Sequence, residues 1–445
     1  MGATADPGER AVTVPDRPTG TAAPAAPPRS ARARLLSGSV VVALGLGVGQ
    51  VLSYSLNLIA ARVLPADQFG ALGALLGIVL IAGTAALALQ TVAARRVALM
   101  PVAQQRGAAH RVAQLSLRGA LIVGGVLALL APLFDHLFDL GGLAAPLLLA
   151  VTLLAMTASG GQLGLAQGGS HYWRLAWLYA ISVGLRSVGG VVGAVVGRTV
   201  TTTMLGCALG ALLAWGVGHL IVAALEDDVP AALPTFAVET LHVGHALLAL
   251  FVLTNLDVLL ARVYLPAALS GAYAVGVLMA KVAFFLPQFV TVVMFPRMAQ
   301  SKDTRPVLLA AGATGALGLL LTAATALLST LVVRILGGPA YLFLAPDMAW
   351  FAALGSLYAL VQVLLYGRIA VGDRRAVAAL WAGAAALLVA VSVWRHDSVE
   401  QIVSTALVIA VVLAAAGLVA TVRAGRSGAS TTPPLEPAGP ATAQG

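Results

Sequence analysis

Residues 37–65 read SGSVVVALGLGVGQVLSYSLNLIAARVLP. No charged residue occurs before Arg62. At 1.5 Å per residue, the stretch before that arginine is long enough to cross the roughly 30 Å hydrocarbon layer of a bilayer as a helix. Its apolar residues run continuously and do not alternate, so it lacks the period of a membrane strand. A bilayer offers no water to backbone amides, which leaves helices and closed barrels as the only spanning structures. The stretch is therefore predicted as a transmembrane helix.

Runs of the same kind recur along the chain. The predicted spans are 37–61, 70–94, 118–135, 145–166, 175–197, 200–225, 240–264, 271–295, 307–333, 346–367, 376–394 and 400–422. Composition agrees, with 60% hydrophobic and only 10% charged residues, against about 25% charged in soluble domains. The expected class is an all-α polytopic membrane protein with about twelve transmembrane helices, and not a soluble enzyme.

Charge gives the orientation. Of 26 Lys and Arg residues, 19 fall in segments that are inner if the N-terminus is inside, and 5 in outer loops. The split follows the positive-inside rule and puts both termini in the cytoplasm. It also removes nucleic acid as the reason for a net charge of +9, because the excess is spread over loops. Residues 1–36 and 423–445 are rich in Ala, Pro and Thr and read as disordered cytoplasmic tails. The apolar run after the first tail is too long for a signal peptide's core and leads into further spans. The preference for Arg over Lys suggests a GC-rich bacterial genome, hence the bacterial cytoplasmic membrane.

The chain echoes itself. Ala61-Arg62-Val63-Leu64-Pro65 and Gly70-Ala71 are answered by Ala261-Arg262-Val263-Tyr264-Leu265-Pro266 and Gly271-Ala272. Thr91-Val92 is answered by Thr291-Val292. The offset is 200 or 201 throughout, and Asn57 and Asn255 stand near the start of each copy. Six spans separate the copies, so the repeat is parallel, and the acidic segment 226–239 falls between the halves. The expected organisation is an N-terminal half at 37–225, a cytoplasmic linker at 226–239 and a C-terminal half at 240–422. Internal repeats of this kind are typical of transporters that bind substrate between their halves.

No catalytic constellation is present in the sequence. Cys207 is the only cysteine, so no intrachain disulfide or multi-Cys metal site forms. No Gly-rich phosphate loop precedes a lysine. His242 and His245 have ligand-compatible spacing but lack further ligands, and structural or interfacial roles are expected for them. No cofactor is expected.

Charges inside the bilayer are the informative residues, because each costs several kcal/mol unless it is paired or hydrated. Arg186 lies midway along the fifth span with no deep acid in its own half. Asp257 and Lys281 reach similar depths in the seventh and eighth spans. They read either as a structural ion pair or as two residues lining a wet cleft. Asn57, Gln90, Gln162, Asn255, Gln288 and Gln362 are polar residues suited to a cavity wall or to interhelical hydrogen bonds. Arg62 and Arg262 mark the outer ends of the first and seventh spans. Arg95, Arg96, Arg106, Arg111 and Arg118, interspersed with Val97, Leu99, Met100, Val112 and Leu115, fit either an interfacial amphipathic helix or an ordinary basic loop.

The pattern Asn57-Leu58-x-x-Ala61-Arg62-x-Leu64-x-x-x-x-Phe69-Gly70 resembles the first-helix exit of bacterial polysaccharide flippases of the Wzx type. These belong to the multidrug/oligosaccharidyl-lipid/polysaccharide exporter superfamily. Gly271-Ala272-Tyr273, Phe295-Pro296 and Gly337-Gly338-x-x-Tyr341 extend the resemblance over roughly residues 37–422. It implies two six-helix lobes around a central cavity, and movement of undecaprenyl-diphosphate-linked oligosaccharide from the inner to the outer leaflet by alternating access. It also implies a place in cell-surface polysaccharide biosynthesis, with membrane lipids around the protein and a polysaccharide polymerase or glycosyltransferases as partners. The substrate-binding set expected on this basis is Arg186, Lys281, Asp257, Asn57, Asn255, Gln90, Arg62 and Arg262. The competing readings are a cation-coupled drug exporter of the same superfamily, which calls for an acidic cavity, and a membrane scaffold, which needs no deep charges.

Overall fold

A computed structural model describes residue 2 and residues 29–223, 236–287, 304–370 and 374–429. Most of the tails and of the 226–239 linker lies outside the described residues. So do Thr291-Val292, Phe295-Pro296 and Gln288, and the side chain of His242 is likewise not described. Among the described residues the chain forms helices and no strand, and twelve helical segments are long and apolar enough to cross a membrane. They match the predicted spans in number and order.

The first span belongs to the helix Arg29–Val63. The second is bent into Ala66–Ala82 and Thr84–Ala98. The bend falls at Gly83, where the Thr84 hydroxyl donates to the Ile81 carbonyl at 2.7 Å. The third helix, Val102–Leu129, continues after a break as Ala131–Phe138. Pro132 stands in the first turn of that continuation, where its missing N–H costs nothing. Helices Ala144–Gly168, Tyr172–Gly197 and Val200–Ala223 complete the first half.

The second half repeats the plan. Its first span breaks at Thr254-Asn255 into Phe236–Leu253 and Leu256–Tyr264. Ala267–Phe285 follows, then Arg305–Leu327 with its own eight-residue continuation, Ser329–Leu336. A 3-10 turn, Pro339–Asp347, leads into Met348–Ala370. Arg374–Val393 and Val399–Ala429 close the fold.

The basic stretch after the second span does not form a separate interfacial helix. Residues 102–129 are one helix that includes the third span. Val112 is fully buried in it, packed with Val97 and Leu163. Likewise Glu239, assigned above to the linker, lies in the first turn of helix Phe236–Leu253. There it pairs with Arg96 of the second span at 2.7 Å.

The twelve spans form two lobes of six. Lipid chains are as apolar as leucine, so helices associate by close packing and hydrogen bonds, not by escape from water. The fifth and sixth spans show this: a Cβ placed on Gly206 would fall on the Gly189 carbonyl, so only glycine admits that backbone approach. Large apolar side chains such as Leu129 and Leu327 point out toward lipid, at 81% and 84% exposure.

The lobes meet at the end remote from the chain termini, here called the distal end. The second and eighth spans cross there, and the crossing points are the repeat-related Gly70 and Gly271. A Cβ on Gly70 would strike Ser270, and one on Gly271 would strike the Ala66 carbonyl. Toward the terminal end the second and seventh spans are joined through Arg96 and Glu239.

Candidate functional site

Between the lobes lies a cavity of about 990 Å³. Its deep wall includes Leu76, Val79 and Leu278 near mid-depth, and its lining runs toward the terminal end through Gln90, Leu286 and Tyr366. The Tyr54 hydroxyl reaches from the first span across to the Leu278 carbonyl of the eighth, tying the two lobes together beside the cavity.

Arg186 and Lys281 both line this cavity, one from each lobe. Gly210 of the sixth span lets its helix sit against Arg186, since a Cβ there would meet the Leu185 carbonyl and the Arg186 Cα. Asn57 and Gln90 also line the wall. Asn57 Nδ2 donates to the Ser53 carbonyl at 2.9 Å. Gln90 Nε2 donates to Gln167 Oε1 at 2.8 Å and to the Tyr179 hydroxyl. Four residues of the expected set are thus brought together. Among the described residues on this wall there is no carboxylate.

Asp257 and Asn255 lie elsewhere, in an adjoining pocket of about 20 Å³, room for about one water molecule. Lys281 lines both spaces. Asn255 sits at the break in the seventh span, and its Nδ2 donates to the Phe251 carbonyl at 2.9 Å. Asp257 is 2% exposed and its Oδ2 accepts from the Tyr273 hydroxyl at 2.9 Å. Among the described residues no salt bridge joins Asp257 to Lys281. Of the two readings of this pair, the ion pair is not formed, and Asp257 has a carboxylate–phenol hydrogen bond instead. The Tyr273 phenol of the neighbouring helix satisfies Oδ2, while Oδ1 is buried without a hydrogen-bond partner among the described residues, beside the small pocket that Lys281 also lines.

Arg62 and Arg262 are not on the cavity wall. They sit at the distal end, where their guanidiniums donate to backbone carbonyls of the opposite lobe. Gln162 donates to the Trp215 carbonyl at 3.0 Å and acts as an interhelical tie. Gln362 lines the cavity and donates to the Tyr366 hydroxyl at 3.0 Å. His245 accepts from Trp381 Nε1 at 3.1 Å, an interhelical contact.

The sequence reading missed the tyrosines. Tyr54, Tyr179 and Tyr366 line the cavity, and Tyr273 and Tyr358 surround Asp257. Their signal was available, since a phenol in mid-span needs a hydrogen-bond partner just as an amide does.

No protein-family model matches the chain, and no curated protein matches it in sequence. Solved structures do match in fold. The lipid II flippase MurJ in an inward closed conformation aligns with a TM-score of 0.66 at 10% identity, over 88% of this chain and 91% of that one. An inward-facing multidrug resistance MATE family transporter of the MOP superfamily aligns at 0.64 and 14% identity, over 87% of this chain and 99% of that one. An outward-facing one aligns at 0.58 and 14% identity, over 90% and 96%. The two-lobed fold of this chain is therefore similar to the folds of the flippase and the MATE transporters.

Proposed function

We propose that the protein is a flippase that moves an undecaprenyl-diphosphate-linked oligosaccharide across the bacterial cytoplasmic membrane. The observation that carries this reading is the pairing of Arg186 and Lys281 across one cavity with no carboxylate among its described lining residues. A diphosphate leaving water needs cationic partners and hydration, and guanidinium suits it through two parallel hydrogen bonds. Amide and hydroxyl groups of Gln50, Asn57, Gln90 and Tyr179 on the same wall suit sugar hydroxyls. The volume stands near the top of the roughly 300–1,000 Å³ range of small-ligand sites. That is room for a headgroup, with the lipid tail left in the bilayer.

In this reading the terminal end is cytoplasmic, as the charge split requires. The cavity's lining then runs toward the inner leaflet, and rocking of the lobes exposes it in turn to each side. The N-lobe is 37–225 and the C-lobe 240–422. Asp257 and Asn255 sit behind Lys281 and tune it. The protein acts as a transporter and not an enzyme, beside a polysaccharide polymerase or glycosyltransferases.

A second reading, a cation-coupled drug exporter, is favoured by the MATE likeness and by one buried acid, Asp257, beside the cavity. Leaflet translocation in proteoliposomes separates the two. Transport of a lipid-diphosphate sugar that cationic dyes do not inhibit supports the flippase. Cation-driven dye export without lipid translocation refutes it.

A further inference from the structure

The repeat that opens each half ends on an arginine, and the two arginines do the same thing in mirrored fashion. Arg62 closes the first span and Arg262 closes the seventh, 200 residues later. Each reaches across to the opposite lobe. Arg62 Nη2 donates to the Ile335 carbonyl, while its Nη1 holds the Leu58 carbonyl of its own helix at 3.2 Å. Arg262 Nε donates to the Phe138 carbonyl at 2.8 Å. Its Nη2 donates to the Asp139 carbonyl, and its Nη1 to the Asp67 carbonyl and the Ser270 hydroxyl, each at 3.2 Å.

The acceptors are equivalent too. Phe138 ends the helix Ala131–Phe138, and Ile335 lies one residue before the end of Ser329–Leu336. Both helices are eight-residue continuations of a long span beyond a break. Both run into the same tripeptide, Leu140-Gly141-Gly142 and Leu336-Gly337-Gly338. Positive φ angles at Asp139, Gly141, Gly142 and Gly338 turn the chain aside at these points. The last carbonyls of a helix lack intrahelical partners and carry its negative end. A guanidinium, with five donors in a rigid fork, matches that group of acceptors. The Arg62 stem also lies against Gly338, where a Cβ would stand 3.8 Å from its Cγ.

We propose that Arg62 and Arg262 form a reciprocal latch that holds the distal end of the molecule closed, each lobe gripping a helix C-terminus of the other. Opening the cavity to that end requires both guanidiniums to leave their carbonyls. In the closed state these donors are occupied by backbone, so they are unavailable to a substrate. The latch's purpose rests on the transporter reading above, but its geometry does not depend on which molecule is carried.

The test is a spin-label distance measurement on the full chain without any substrate. Cys207 is buried and is replaced by Ser. Labels go on His136→Cys and Ala340→Cys, exposed positions of opposite lobes beside the latch. The parent protein should give one short-distance population. Arg62→Ala and Arg262→Ala should each add a longer one, lowering the closed-to-open ratio about tenfold apiece. The double variant should be mainly open. An unchanged distribution in the double variant overturns the latch. If that variant fails to fold, Arg62→Lys/Arg262→Lys decides the matter. It keeps charge and stem but loses the fork, so a longer population supports the proposal and a parent-like distribution overturns it. Because no lipid-linked sugar is present, failure of the flippase reading in a translocation assay leaves this result standing.

Discussion

Tyr273 and Asp257 are joined inside the second lobe, phenol donating to carboxylate Oδ2 at 2.9 Å, while Lys281 lines both the small pocket beside Asp257 and the cavity. The stability of this region should therefore couple Asp257 more strongly to Tyr273 than to Lys281. In double-mutant cycles read by thermal unfolding in detergent, Asp257→Asn with Tyr273→Phe should be non-additive by about 1 kcal/mol. Asp257→Asn with Lys281→Gln should couple less, because the two line one small pocket without a salt bridge between them. A larger coupling in the second cycle than in the first would restore the ion pair and remove the phenol from the account.

Gly271 is where the eighth span touches the second. A Cβ there meets the Ala66 carbonyl, which is backbone and cannot swing aside. Gly271→Val should cost about 1–3 kcal/mol, the usual penalty for overpacking. Gly312, whose added Cβ would meet nothing within 4 Å, is the control: Gly312→Val should change the unfolding midpoint little. Equal effects at both sites would mean that the lobes do not meet at Gly271.

Arg186 is the expected phosphate contact. Arg186→Ala should abolish or strongly reduce translocation of a lipid-diphosphate sugar while the protein still inserts and stays monodisperse. Arg186→Lys should restore part of the rate, since an ammonium keeps charge but not the two-pronged grip. Binding should weaken with salt, and a lipid-linked sugar lacking phosphate should not compete. Parent-level transport by a well-expressed Arg186→Ala protein would shift the role to Lys281.

Topology is directly testable. In intact cells, Ala340→Cys at the distal end should react with a membrane-impermeant maleimide, and Ala424→Cys at the terminal end should react only after permeabilisation. The reverse pattern would invert the assignment of inside and outside, and with it the direction in which the cavity faces.

The sequence by itself determined the class, the number of spans and their order. Long uncharged runs have one solution in a bilayer, and the 200-residue echo marks the two halves. It also singled out Arg186 and Lys281, because a charge in mid-span is costly wherever the helix packs. What it did not determine is partnership across helices. One dimension gives a residue's depth but not its facing, so an ion pair and a shared cleft both stood open for Asp257 and Lys281, and Tyr273 as the donor to Asp257 was not visible. Arg62 and Arg262 looked like substrate ligands for the same reason. Only the tertiary structure shows that each guanidinium lands on the other lobe's helix C-terminus. That contact depends on where two helices break and turn, at Leu130 and Leu328, and on the crossing of Gly70 with Gly271. Such geometry is set by packing between lobes, which local sequence does not encode.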